Sequence, residues 1–168
     1  NEIGEFSFYS CKNLKEIEMD KNSTNIKIGK FAFAFSSIQK ISMPSSIEKF
    51  DDEWCRCTKY LYEILIPSDN KNFSYLDKDK KLIASKSEKN KNLFDVIIFA
   101  SRDIEKVLIP SQIKYINSFS FDSCKNIKTI EFENYSNLEF IGKYAFAWST
   151  IEKISIPNSV QKIEDGSF

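Results

Sequence analysis

The chain repeats itself. Shifted by 113 positions, Ile3 to Phe50 lies over Ile116 to Ile163 without a gap, and about half of the positions are identical. IGKFAFAFSSIQKISMPSSIEKF (28–50) falls on IGKYAFAWSTIEKISIPNSVQKI (141–163), and FSFYSCKNLKEIEM (6–19) on FSFDSCKNIKTIEF (119–132). Self-similarity at a fixed period is the signature of a repeat architecture and constrains the fold more than composition does. A shorter period of about 22 to 25 residues lies inside the long one, with starts at Ile3, Ile28, Phe50, Ile116, Ile141 and Ile163.

Each beat of the short period has a physical reason. Alternations such as KISMP and EILIP place every second side chain on one face of a short strand. Pro44, Pro67 and Pro157 close such strands by removing a backbone donor. A small residue before phenylalanine (Ala32-Phe33, Ser120-Phe121, Ala145-Phe146) lets neighbouring coils approach while the ring fills the core. The small polar residue that follows (Cys11, Ser36, Thr58, Cys124 or Ser149) is expected to bond a turn carbonyl in little space. One such coil cannot bury its own apolar edge, so coils must stack into a solenoid. In the third coil the small-large order is reversed to Trp54-Cys55, which predicts that both are buried in one pocket.

This pattern, I-G-x-x-A-F-x-x-C-x-x-L-x-x-I-x-I-P-x-S-V-x-x-I, resembles the BspA-type leucine-rich repeat. The regular coils span 3–67 and 104–168. The irregular stretch 68–103 is similar to the hairpin-bearing interruption common in the family, and its apolar runs Leu82-Ile83 and Val96-Ile97-Ile98-Phe99 predict strands. The resemblance implies a leucine-rich-repeat solenoid, mainly β with short irregular or 3-10 turns. It also implies a right-handed curved coil with a parallel sheet on its concave side. The chain reads as one domain, 1–168, without a linker. It opens and stops within coils, so it is expected to be a fragment of a longer array whose open ends can self-associate.

Composition excludes several function classes. Lys plus Arg equals Asp plus Glu at 24 each, which argues against nucleic-acid and anionic-membrane partners. No apolar run is long enough to insert in a membrane. The chain has no histidine and four glycines, so Ser-His and Cys-His nucleophile pairs and a glycine-rich phosphate loop are absent. Asp51-Asp52-Glu53, neighbours on a turn, do not present converging acids. The chain is therefore read as non-enzymatic, with no cofactor and no metal site.

Several local features have competing readings. Cys11 and Cys124 share a repeat position and should both point inward as free thiols, whereas Cys55 and Cys57 should face opposite ways. Asp77, Asp79, Ser85 and Glu88 fall on calcium-loop offsets, but Leu82 stands where that loop needs glycine, so a solvated hairpin turn is favoured. The lysines of the middle segment read as a solvated face or as an arm that touches a partner. Phe35 and Trp148, equivalent in the two coils that are one residue short, either fill the gap or stand out as anchors.

Asn22, Asn72 and Asn134 open N-x-S/T sequons and are candidate glycan acceptors. The outward residues of the closing strands form the candidate concave binding face. They are Glu16, Glu18, Lys40, Ser42, Glu63, Leu65, Lys106, Leu108, Thr129, Glu131, Lys153 and Ser155. The resemblance implies a cell-surface or extracellular, adhesin-like module that binds a host or partner protein, or a glycan. The alternative is an intracellular scaffold or a structural spacer whose parent chain binds elsewhere.

Overall fold

The computed structural model describes residues 1–168 and contains short strands and turns but no helix of any pitch. The chain divides into two compact units, 1–74 and 75–168. Both are β-solenoid, about seven turns in all.

In the first unit the strands are β1 (Glu2–Ile3), β2 (Glu16–Glu18), β3 (Ile26–Ile28), β4 (Lys40–Ser42), β5 (Ile47–Phe50) and β6 (Glu63–Leu65). They sort into two parallel sheets, β1-β3-β5 and β2-β4-β6, so each coil gives one strand to each. The period-2 pattern sets which residues go inward. In β4, Ile41 is buried between half-buried Lys40 and Ser42. Ile28, Phe33, Ile38, Ile41 and Ile47 are fully enclosed; each such side chain stabilises by about 1.5–3 kcal/mol. Phe8 stacks on Phe33 at 5.2 Å between ring centres. Asn70, also buried, joins coils: its amide donates to the carbonyls of Ser45 (2.7 Å) and Ile47 (3.0 Å) and accepts from the N–H groups of Asn72 and Phe73.

The second unit follows the same plan. After β7 (Phe73–Tyr75), in which the division falls, come β8 (Leu82–Lys86), β9 (Phe94–Ala100), β10 (Lys106–Ile109), β11 (Tyr115–Ile116), β12 (Thr129–Phe132), β13 (Phe140–Ile141), β14 (Lys153–Ile154) and β15 (Lys162–Ile163). One sheet runs β15-β13-β11-β9-β8, with β7 as its last strand, and the other runs β10-β12-β14. The strands predicted in the irregular stretch exist as an antiparallel pair, β8 with β9. Neither enters the sheet that carries the candidate binding face.

A third wall comes from the turns. The N–H groups of Phe119, Phe121 and Ser123 donate to the carbonyls of Lys143, Ala145 and Ala147 at 3.3, 2.8 and 2.9 Å. Phe6, Phe8 and Ser10 do the same to Lys30, Ala32 and Ala34. This ladder holds pairs of non-glycine residues four apart at positive φ: Phe6 and Ser10, Phe31 and Phe35, Glu53 and Cys57, Phe119 and Ser123, Tyr144 and Trp148. Each costs about 1–2 kcal/mol in isolation, so inter-coil hydrogen bonds and ring packing must offset it. The close approach also explains two glycines. A Cβ at Gly29 would lie 2.8 Å from the Glu5 nitrogen, and one at Gly142 only 2.5 Å from the Ser118 nitrogen.

Trp54 and Cys55 are both buried, and Trp54 packs 4.7 Å from Phe50 and edge-on to Phe33. The small polar beat makes the expected turn bond at Thr58, whose hydroxyl donates to Cys55 O (2.6 Å), and more weakly at Cys124, whose Sγ lies 3.6 Å from Ser101 O. It fails at Ser36, whose buried hydroxyl has no partner. The run from Asp77 is a hairpin turn, because its carboxylate accepts from the N–H groups of Lys81 and Leu82 and its later residues belong to β8.

The shortened coil is not among the expectations drawn from the repeat. Seven positions separate Ile97 from Ile104, where eleven separate Ile116 from Ile127. Arg102 lies buried inside that tight turn, with its guanidinium 4.9 Å from the Phe99 ring centre. Its Nη1 donates to the carbonyls of Ala100 and Ser120, both at 3.0 Å. A cation buried this way is tolerated because carbonyl dipoles and a ring face replace water.

Candidate interaction surface

Register places the predicted face residues in rows. In the first unit Glu16, Lys40 and Glu63 align across β2, β4 and β6, and Glu18, Ser42 and Leu65 form the row beside them. In the second unit Lys106, Thr129 and Lys153 align across β10, β12 and β14, Leu108 aligns with Glu131, and Ser155 lies just past β14. Neighbours along a row are about 4.8 Å apart, the spacing of paired strands. Thus six predicted residues come together in each unit, every one exposed or half-buried. Leu65 belongs to the first unit's sheet and Leu108 to the second's.

The two sets differ in electrostatics. Lys40 pairs with Glu63 at 3.0 Å, and this hydrogen bond raises its ammonium above the ordinary lysine value. The second unit's lysines are more exposed, as are Thr129 and Glu131 beside them. Leu108, at 53% exposure, is a large apolar side chain on the open face.

Two open grooves border the second unit's sheet. One, of about 810 Å3, runs over β12 and β14 past Glu131, Lys153 and Tyr135. The other, of about 700 Å3, lies beside β10 and is walled by Asp79 and Asp103 as well as by Glu105 and Glu131. Asp103 and Glu105 were not among the residues singled out from sequence, and Asp79 was singled out there only for its calcium-loop offset. The short Ile97–Ile104 spacing was the available signal, since a missing turn leaves the neighbouring coil's flank open. Across this groove Lys81 pairs with Asp103 at 2.6 Å. Burial pushes the Asp103 carboxyl up, but hydrogen bonds from Lys81 and Ser101 hold it below the usual aspartate value.

Trp148 stands out at 69% exposure, with Lys125 6.0 Å over its ring, and does not fill the gap in its short coil. Thr150 bridges that coil instead, donating to the carbonyls of Lys125 (2.7 Å) and Ile127 (2.9 Å). Phe35 is at the edge of exposure, packed 5.5 Å from Tyr9 and beneath Arg56. The four cysteines are thiols and not disulfides: Cys55 and Cys124 are buried, Cys11 and Cys57 half-buried. Burial pushes the Cys124 thiol up to about 11 despite the opposing pull of Arg102. Asn22, Asn72 and Asn134 are all exposed, but the Asn72 amide donates to Ile47 O at 3.1 Å. Asp51 pairs with Lys49, and Glu53 with Lys30 and Arg56, so the carboxylate run of the third coil is split among separate cations.

Stacked short coils, two parallel sheets and outward rows of mixed side chains define a leucine-rich-repeat solenoid, a fold that generally serves interaction and not catalysis. The chain belongs to the BspA-type leucine-rich repeat family. The model described as "BspA type Leucine rich repeat region" matches it in six copies over residues 1–77 and 94–168. No curated protein matches the chain.

Among solved structures it is similar to a leucine rich cell surface protein from Faecalibacterium prausnitzii (15% identity, TM-score 0.67, covering 98% of this chain and 53% of that one). It is also similar to the pneumococcal vaccine antigen PcpA (22%, 0.61, covering 95% and 49%). A leucine-rich repeat protein from Bacteroides ovatus matches at 20% and 0.56, covering 97% and 36%. At these identities the likeness concerns the fold alone. The chain spans about half or less of those structures. No helix is long and apolar enough to cross a membrane.

Proposed function

We propose that the chain is a non-catalytic protein-interaction module of a cell-surface or secreted adhesin-like protein, which binds a host or partner protein over the outward rows of its closing-strand sheets. The observation that carries this reading is the register of those rows. Lys106, Thr129 and Lys153, flanked by Leu108 and Glu131, are exposed at fixed spacing on a hydrogen-bonded ladder. Such a surface binds through many modest contacts summed over a rigid scaffold, without loop ordering to oppose them. Similarity to a cell surface protein and to a vaccine antigen supports the extracellular placement. Exposed Asn22 and Asn134 are candidate glycan acceptors within this reading. One observation favours a spacer role for the first unit: the Lys40–Glu63 pair satisfies charge within its own face.

The test is antibody labelling of intact, unpermeabilised source cells, followed by attachment of the purified chain to partner cells. Labelling before permeabilisation together with saturable attachment is expected. Signal only after permeabilisation refutes the surface reading and leaves an internal scaffold.

A further inference from the structure

The second unit's sheets have unequal numbers of strands. Coil by coil, β9 is followed by β10, β11 by β12 and β13 by β14, but β8 turns back antiparallel and has no counterpart in the other sheet. β10 is therefore the terminal strand of β10-β12-β14, and the groove of about 700 Å3 runs along its flank.

The direction of the backbone groups follows from the ladder. The Glu105 and Ile109 carbonyls accept from Lys128 N–H (3.3 Å) and Glu133 N–H (3.0 Å) on the β12 side. Alternate residues of a paired strand aim their N–H and C=O to opposite sides. Lys106 and Leu108 therefore aim theirs at the groove. A free edge of this kind is a template for another strand.

The groove's chemistry selects the occupant. Its inner lining includes Leu82, Ile104 and Val107, which are buried and apolar. Its rim carries five carboxylates, including Asp79, Glu105 and Glu131, against the two ammonium groups of Lys81 and Lys106. Lys81 is already committed to Asp103. The carboxylates do not gather into a group able to hold a metal ion, so they suit cations spaced along a chain.

We propose that this groove is a strand-addition site. An extended segment of a partner protein, alternating basic and apolar residues, pairs with the free edge of β10. It turns its apolar side chains toward Leu82 and Val107 and its cations toward Asp79, Glu105 and Glu131. The proposal rests on the interaction-module reading and names the partner chemistry for one part of that surface. Main-chain pairing supplies affinity, and the alternating side chains supply selectivity.

The test uses the 168-residue chain and a fluorescein-labelled hexapeptide of alternating lysine and valine, with a glutamate-valine peptide as control. Anisotropy is expected to show salt-sensitive binding of the first peptide and none of the second. Two variants separate the contributions. Leu108→Pro removes an N–H aimed at the groove while sparing the β12 side, and is expected to weaken binding by at least about tenfold. The double variant Asp79→Lys, Glu105→Lys is expected to weaken it by a similar factor and to flatten the salt dependence. Amide exchange at Leu108 in the unaltered chain should slow when the lysine-valine peptide is bound, a readout that does not depend on how the proline variant folds.

Equal binding of both peptides, equal binding by the double variant, or unchanged exchange at Leu108 overturns the proposal. If the chain attaches to partner cells but binds neither peptide, the groove is refuted and the module reading stands. If the lysine-valine peptide binds as expected but cells are not attached, the groove stands and the adhesin reading fails.

Discussion

Gly4, Gly29 and Gly142 occupy the same beat of the repeat, yet alanine should have different effects at the three. A Cβ at Gly142 would sit 2.5 Å from Ser118 N and 2.9 Å from Asn117 C, both backbone atoms of the adjacent coil. That is roughly 0.9 Å short of ordinary contact, which begins at 3.4 Å, and backbone cannot rotate away as a side chain can. The coil must slide, straining the 2.8 Å bond from Gly142 N–H to Ile116 O and the inter-coil bonds that follow it. Overpacking of this kind costs about 1–3 kcal/mol, and weakened hydrogen bonds add about 1 kcal/mol. Reduced freedom of the unfolded chain returns about 0.4–1 kcal/mol. The net loss for Gly142→Ala is about 1–3 kcal/mol, or about 3–10 °C in Tm for a chain of this size. Gly29→Ala should behave similarly, with contacts at 2.8 to 3.0 Å. Gly4→Ala meets only Ser7 Oγ at 3.7 Å and should be neutral or slightly stabilising. Thermal melts followed by circular dichroism on the three single variants decide the matter. Asn117 carries a side chain at the same beat, so coils can be spaced to admit one. If Gly142→Ala melts within about 1 °C of the unaltered chain, the coils relax freely and the close-approach argument is wrong.

Two further outcomes follow from the site geometry. Cys124, raised by burial from the ordinary thiol value to about 11, should resist iodoacetamide until the chain unfolds. Because the folded value lies above the unfolded one, the neutral thiol's contribution is complete below about pH 9 and is lost as pH rises toward 11; the stability gap between the unaltered chain and Cys124→Ala should narrow by roughly 2–3 kcal/mol over that window, and a constant gap would show that the thiol is not desolvated. Expressed in a eukaryotic secretory host, the chain should be glycosylated at Asn22 and Asn134 and spared at Asn72, whose amide is tied to Ile47 O; peptide mapping that finds Asn72 as the main acceptor refutes the assignment.

The solenoid was legible because its causes are local and repeated. Alternation in KISMP and EILIP directs Ile41 and Ile64 inward whatever lies farther along the chain, and Ala32-Phe33 and Ala145-Phe146 fit only where coils pack closely. The outward rows were legible for the same reason, since residues between inward beats have the other face left to them. Trp54-Cys55 was predictable from conserved volume alone.

What the repeat could not state is what happens where it breaks. The apolar runs Leu82-Ile83 and Val96-Ile97-Ile98-Phe99 read as strands, but they are compatible with either sheet. Only the antiparallel return of β8 against β9 assigns both to one sheet and leaves β10 as an edge. Left-handed backbone at Phe31, Phe35 and Tyr144 has no signature in side chains that normally avoid it; it persists because the next coil's carbonyls accept from Phe33, Phe35, Tyr144 and Phe146 in those turns. Arg102 looks like a surface residue in sequence, and only the shortened turn encloses it between Phe99 and the Ser120 carbonyl. The sequence by itself determined the coil, its inward and outward residues and its family, because a two-residue period and a recurring small-aromatic beat act within one turn of chain. The tertiary structure decided the free edge of β10, the acidic groove beside it and the buried cation, because these arise from strand pairing between segments whose order no local period encodes.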